Sequence, residues 1–205
     1  MLYNYLKSLN KKKVIITLVS VILMGLSLSV LNIINYGTDS FTYMNLGISE
    51  KIRWSLGNWQ LLINVCMFIV VIICDYRQIG IGTLFNMILV GYIVDFFSWI
   101  WVKTHMNEFF TIKYLNIFVM LLFLIIFVFS AATYMSTDLG TAPFDALPLI
   151  FYNKHKQIPF KLIRFIWDLM AVIIGFIFSR HVGIVTVLMV IFLGQTAEFV
   201  RKKFF

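Results

Sequence analysis

Gly37-Thr38-Asp39-Ser40-Phe41 and Gly140-Thr141-Ala142-Pro143-Phe144 are two copies of one phrase, 103 positions apart. A second phrase keeps the same spacing: Arg77-x-x-Gly80-Ile81-x-Thr83 returns as Arg180-x-x-Gly183-Ile184-x-Thr186. The register continues without a gap and matches Gly91 to Gly194, Asp95 to Glu198 and Phe96 to Phe199. Chance does not hold register across an entire hydrophobic segment, so the chain is an internal duplication. In helical membrane proteins such duplication is the usual trace of a transporter-like fold, with its site between the halves.

Composition sets the solvent. The 205 residues are 61% hydrophobic and only 13% charged, against about 25% charged in soluble domains. Six apolar runs follow: Val14 to Ile34, Trp59 to Cys74, Ile81 to Val102, Tyr114 to Tyr134, Leu162 to Ser179 and Ile184 to Val200. Each is roughly 16 to 22 residues, close to the length that spans hydrocarbon. Lys11-Lys12-Lys13 leads into the first run, and no small-residue cleavage site ends it, so it reads as a retained span. Trp54, Trp59, Trp99 and Trp101 fall near the expected helix ends, as an interfacial belt does.

The net charge of +8 does not form a stripe suited to nucleic acid; its Lys and Arg cluster at helix ends. Placed in alternate loops of a six-span chain, 12 fall on one side and 5 on the other. The positive-inside rule then puts both termini in the cytoplasm of a cell-membrane protein. Three spans per copy, an odd number, make the second copy enter from the opposite face. The expected fold is an all-α polytopic membrane protein of six transmembrane helices in a 3+3 inverted-topology repeat. Repeat one covers residues 1–112 and repeat two 113–205, in one integral membrane domain.

Three groups of residues are candidates for a site. The first is the broken connection of each repeat. In Leu139-Gly140-Thr141-Ala142-Pro143-Phe144-Asp145 the proline suits a helix's first turn, with Thr141 as the expected cap, and Pro148 limits or kinks the short helix. Gly37 and Thr38 open its counterpart. A half-helix turned inward offers its positive end to a carboxylate or polar group; the same sequence also fits a capped turn at the membrane surface. The second group is Arg164 and Asp168, spaced i, i+4 on the fifth span, where they can pair, bind ligand or relay protons. Repeat one has Leu61 and Val65 there, so the charges belong to one half only. The third group is Gly80, Thr83, Asn86, Gly91 and Asp95 with Gly183, Thr186, Gly194 and Glu198. Its glycines suit close helix packing, and Asp95 and Glu198 are gate candidates or interfacial carboxylates.

Cys66 and Cys74 lie on one expected helix without metal or disulfide spacing and read as buried structural residues. His105, His155 and His181 fall in three loops without ligand spacing, so neither a metal nor a cofactor is expected. No nucleophile elbow, zinc helix, phosphate loop or dinucleotide fingerprint occurs, so the chain does not read as an enzyme.

These residues resemble the YczE/YyaS/YitT family of bacterial integral membrane proteins, in its YczE-like branch. Leu139 to Asp145 carries its Leu-Gly-x-x-Pro-aromatic-Asp motif, Gly80 to Asp95 its Gly-x-Gly-Thr-x-x-Asn-x-x-x-x-Gly-x-x-x-Asp segment, and Arg164 with Asp168 its basic-then-acidic pair. Ser40-Phe41-Thr42 stands where the family pattern favours Pro-aromatic-Asp, and Val185 replaces the glycine of the second copy. The resemblance implies membrane location and fold more than chemistry.

The function expected is a permease for a small polar or charged solute, working by alternating access. Arg164, Asp168, Thr38, Thr141, Asp145 and Asn86 are its binding or coupling residues, and Gly37, Gly140, Pro143, Gly80, Gly183, Gly91 and Gly194 its repeat framework. The alternative is a non-transporting accessory or regulatory subunit of a larger assembly. Expected partners are the lipid bilayer, the solute and a homodimer or larger membrane assembly, with no nucleic acid.

Overall fold

Lys11–Ile33 forms one unbroken helix, α1. Nothing in this apolar run breaks it, and the Asn10 side chain accepts the Lys12 amide at 3.0 Å to cap its start. The chain then leaves helical geometry through Asn35, at φ 58°, and Gly37, at φ 96°. The computed structural model describes residues 10–110, 112, 115–178 and 181–192. Helices follow at Ser40–Ile52 (α2), Leu56–Asp75 (α3), Ile81–Lys103 (α4), Met106–Phe110 (α5), Leu115–Ser136 (α6), Pro143–Lys154 (α7) and Phe160–Ile177 (α8). A 3-10 turn at Tyr76–Gln78 extends α3, and residues 184–192 are helical.

The 103-residue spacing reappears in the elements. α2 and α7 start at Ser40 and Pro143, while α4 and the last described helix start at positions 81 and 184. The breaks match as well: Asn35 and Asp138 are both left-handed, at 58° and 54°, and Gly37 and Gly140 both lie at positive φ, 96° and 107°. Packing is reciprocal, since α2 lies on α8 of the other copy and α7 lies on α3.

Among the described residues four helices are long and apolar enough to cross a membrane: α1, α3 with its 3-10 turn, α4 and α6. Six were expected. The fifth expected run is an 18-residue helix carrying Lys161, Arg164 and Asp168, and the sixth runs on past the described residues. α2 and α7, at 13 and 12 residues, reach only about 20 Å.

α1 and α6 run antiparallel through the centre. The Thr17 and Thr137 hydroxyls bond at 2.9 Å at one end, and the Tyr36 hydroxyl donates to Asn116 Oδ1 at 3.2 Å at the other. Val21, Leu28 and Leu31 of α1 share the main core with Val90 and Val94 of α4, Phe127 of α6 and Val185. The outside is apolar too; Ile73 is 77% and Ile177 69% exposed. Cys66 and Cys74, expected inside, are also exposed, because a lipid-facing surface selects apolar residues as a core does.

Candidate functional site

The two breaks bring the short helices together. α1 and α6 point in opposite directions, so their C-terminal ends lie at opposite ends of the bundle, about 35 Å apart for a 23-residue helix. Yet Phe41 and Phe144, each eight residues past the end of its long helix, stack with ring centroids 4.6 Å apart. Both connections therefore turn back along the bundle, and the N-termini of α2 and α7 meet near its middle. Phe41 and Phe144 are the same position in the two copies, so the stack joins matching residues of the duplicated sequence.

Glycine makes the turn-back possible. At Gly140 the chain lies against Gly80, and at Gly37 against Gly183. The backbones then bond reciprocally: the Gly82 amide donates to the Leu139 carbonyl at 2.8 Å, and the Val185 amide to the Tyr36 carbonyl at 2.9 Å. A Cβ on Gly80 would run into the Leu139 carbonyl, and one on Gly183 into that of Tyr36. Thr38 donates its amide to Thr186 Oγ1 at 3.1 Å, and Thr141 its amide to the Gln78 carbonyl at 2.9 Å. Thr141 was expected to cap α7, but the cap position is Ala142, with no side-chain bond. Its tie to Gln78 holds Thr141 one residue short of the helix.

Around the stacked rings sits a charge cluster drawn from three elements. Arg164 of α8 donates Nε to Asp168 Oδ2 at 2.8 Å, one helical turn on, and Nη1 to Asp145 Oδ1 of α7 at 2.5 Å. Ser40, the first residue of α2, donates its hydroxyl to Asp168 Oδ1 at 2.6 Å. Asp168 is 1% exposed, and the Arg164 guanidinium lies 5.6 Å over the Phe144 ring. Asp39 caps α2, its Oδ1 accepting the Thr42 amide at 3.1 Å, while its Oδ2 is buried without a partner. Two carboxylates thus share one guanidinium, with the third, Asp39, within electrostatic reach of both, at the positive ends of two short helices, a setting that favours anionic groups. Because all four charges come from different positions of the repeat, the cluster is asymmetric across a symmetric scaffold.

Residues 11–202 match a family described as "Family of unknown function (DUF6198)". The chain belongs to this family. DUF6198 residues thus cover almost all of it, and curated proteins extend the likeness. It is 28% identical over 172 residues to the uncharacterized protein YyaS of Bacillus subtilis (strain 168), covering 82% of this chain and 80% of that one. An uncharacterized protein of Haemophilus influenzae is 21% identical over 188 residues, covering 92% and 83%. The relatives agree with the YczE/YyaS resemblance carried by the motifs. No solved structure matches.

In this DUF6198 chain Arg164, Asp168 and Asp145 meet, Pro143 opens α7 beside them, and Thr38 and Thr141 sit in the flanking crossings. Asn86 is buried on α4. Asp95 accepts the Leu56 and Gly57 amides at 3.2 and 2.7 Å, which caps α3 and gives it a structural task. Gly91 lies against Gly57 where α3 and α4 cross. Glu198 and Gly194 lie outside the described residues. Sequence reasoning missed Asp39, Ser40 and the Phe41–Phe144 stack as parts of the site. Asp39 in front of a short helix carried a capping signal, and the matched phenylalanines were visible in the repeat.

Proposed function

We propose that this protein moves a small polar or charged solute across the membrane by alternating access between two inverted repeats, with the Arg164 cluster as its binding and coupling site. The observation that carries the proposal is the meeting of the α2 and α7 N-termini, marked by Phe41 on Phe144, with Arg164, Asp168, Asp145 and Ser40 around it. Broken helices whose ends face each other between duplicated halves suit a solute site near mid-bilayer. Ionisable groups are expensive there, and retaining them argues for a task. In this arrangement α1, α3 and α4 span in repeat one, α6, α8 and the helix from position 184 span in repeat two, and both termini are cytoplasmic. The crossings Gly37 with Gly183 and Gly80 with Gly140 lie near opposite faces and serve as the two closures.

The test uses Ser40→Cys in a chain freed of Cys66 and Cys74, probed with a membrane-impermeant maleimide from each side of the vesicle. Alternating access predicts labelling from both faces, with Arg164→Met shifting the balance between them. Labelling from one face only, or from neither, removes the transporter and leaves the accessory-subunit reading.

A further inference from the structure

We propose that Asp39 is the proton-carrying group of this cluster, so that the solute moves in exchange or in company with protons. The inference rests on the transport reading for its purpose, but its chemistry stands on the geometry of the site.

Arg164 already divides its guanidinium between Asp168 and Asp145. Asp168 has in addition the Ser40 hydroxyl. Among the described residues Asp39 has no cation of its own: Thr42 serves it through its amide and hydroxyl, and Oδ2 is buried with no donor. Groups facing it from the packed elements are Asp145 of α7 and Asp168 of α8, while Arg164 of α8 is turned to those two acids; α3 offers only the exposed Cys66 and Cys74, and Asp75 at its far end. On α2 itself Tyr43 is buried, while Glu50 and Lys51 lie at the exposed far end. With every acid ionised, the cluster carries two negative charges in excess of Arg164. Asp39 as a whole is half-buried but its Oδ2 is fully so, and buried charge without a counter-ion is the arrangement that folding tolerates least. Protonation of Asp39 Oδ2 removes one of those charges and the need for a donor at once.

A second, independent observation comes from α6. Tyr134 of α6 is 2% exposed, its hydroxyl has no partner, and it lies within electrostatic reach of Asp145. A buried donor without an acceptor and a buried acceptor without a donor therefore both stand within electrostatic reach of Asp145. Such orphans ask for a ligand, since buried polar atoms are otherwise nearly always paired. Among the described residues no three acidic, His or Cys side chains converge as metal ligands, which favours a proton over a metal cation. The step balances without a co-reactant. The Asp39 carboxylate takes a proton from one aqueous face to give the carboxylic acid, and the acid returns it to the other face after the halves exchange.

The experiment is difference infrared spectroscopy of the full chain in liposomes across a pH step. It reads the carbonyl band of a protonated carboxyl, with no solute needed. A reversible acid band is expected in the wild type, lost in Asp39→Asn and kept in Asp95→Asn. Asparagine caps a helix as well as aspartate does, so α2 survives the change; Asp39→Ser, also a cap, repeats the measurement. A band unchanged in both variants, or absent from the wild type, overturns the proposal. So does a band that sodium suppresses and choline does not, because the site is then one for a metal cation. A band lost in Asp39→Asn while Ser40→Cys labels from one face only keeps the proton site and removes the transport reading.

Discussion

At the scale of the residue, Arg164 is the member on which the cluster depends. Among the described residues it is the only cation in contact with Asp145 and Asp168, and its side chain is 12% exposed. Arg164→Leu leaves both acids unpaired and is expected to cost about 3–5 kcal/mol, as removal of one partner of a buried ion pair does. Repeat one shows how to repair it, because the positions matching Arg164, Asp168 and Asp145 hold Leu61, Val65 and Thr42. The triple change Arg164→Leu, Asp168→Val, Asp145→Thr makes repeat two resemble repeat one. It should melt higher than Arg164→Leu alone in detergent, with two-sided labelling of Ser40→Cys lost. A triple variant no more stable than the single one would mean that the charges are held by something other than each other. The pairing of Arg164 with Asp168 was legible in the sequence, since i, i+4 is a local rule. The reach of Arg164 to Asp145 was not, because those residues lie on different helices and no periodicity links them. Ser40 was equally hidden: its bond to Asp168 spans 128 positions.

At the scale of the element, the crossings are where backbone meets backbone. Gly80→Ala and Gly183→Ala place a methyl against a carbonyl that belongs to the fold's own hydrogen bonds, so neither side can yield. Each should cost about 1–3 kcal/mol, toward the upper end for overpacking. Gly57→Ala meets first the ring of Tyr92, a side chain 38% exposed and held by its hydroxyl bond to Asn58 rather than by backbone, so it should cost less in the same melting assay. Equal losses at the three positions would count against rigid crossings. Asp95 supplies a separate case. Its carboxylate ties the first amides of α3, and Asp95→Ala should lower stability by about 0.5–2 kcal/mol, as loss of a cap does. Labelling of Ser40→Cys from both faces should continue unchanged; a change in its sidedness would restore Asp95 as a gate. Helix starts were readable here, because proline at the first turn and capping side chains act locally. The turn-back of the short helices was only half readable: Gly37 and Gly140 announced a break, while its direction depends on Gly183 and Gly80 in the other copy.

At the scale of the whole molecule, lipid removes the contrast that makes burial legible in soluble proteins. Ile73, Phe176 and Ile177 are as apolar as the core yet face outward, so hydropathy located the four helices long enough to span but could not say which face of each turns inside. Small and polar residues carry that information instead, as where Gly175 admits Tyr43 of α2 or where Trp101 donates to Ser29 at 3.0 Å. Charge in the loops carries the rest. The stretch from the end of α7 to the start of α8 holds Lys154, Lys156 and Lys161, whereas the stretch from the end of α4 to the start of α6 holds only Lys103 and Lys113. If the repeats are inverted, Asn153→Cys and Met106→Cys must lie on opposite faces of the membrane. In a background without Cys66 and Cys74, whose exposed positions tolerate replacement, Asn153→Cys should react with an impermeant maleimide only in inside-out vesicles and Met106→Cys only in intact cells. The antiparallel pairing of α1 with α6 and the reciprocal packing of α2 on α8 and α7 on α3 both require this result. Labelling of both positions from one face would leave two helix breaks meeting without opposed closures, and the midplane site would lose its access to one side.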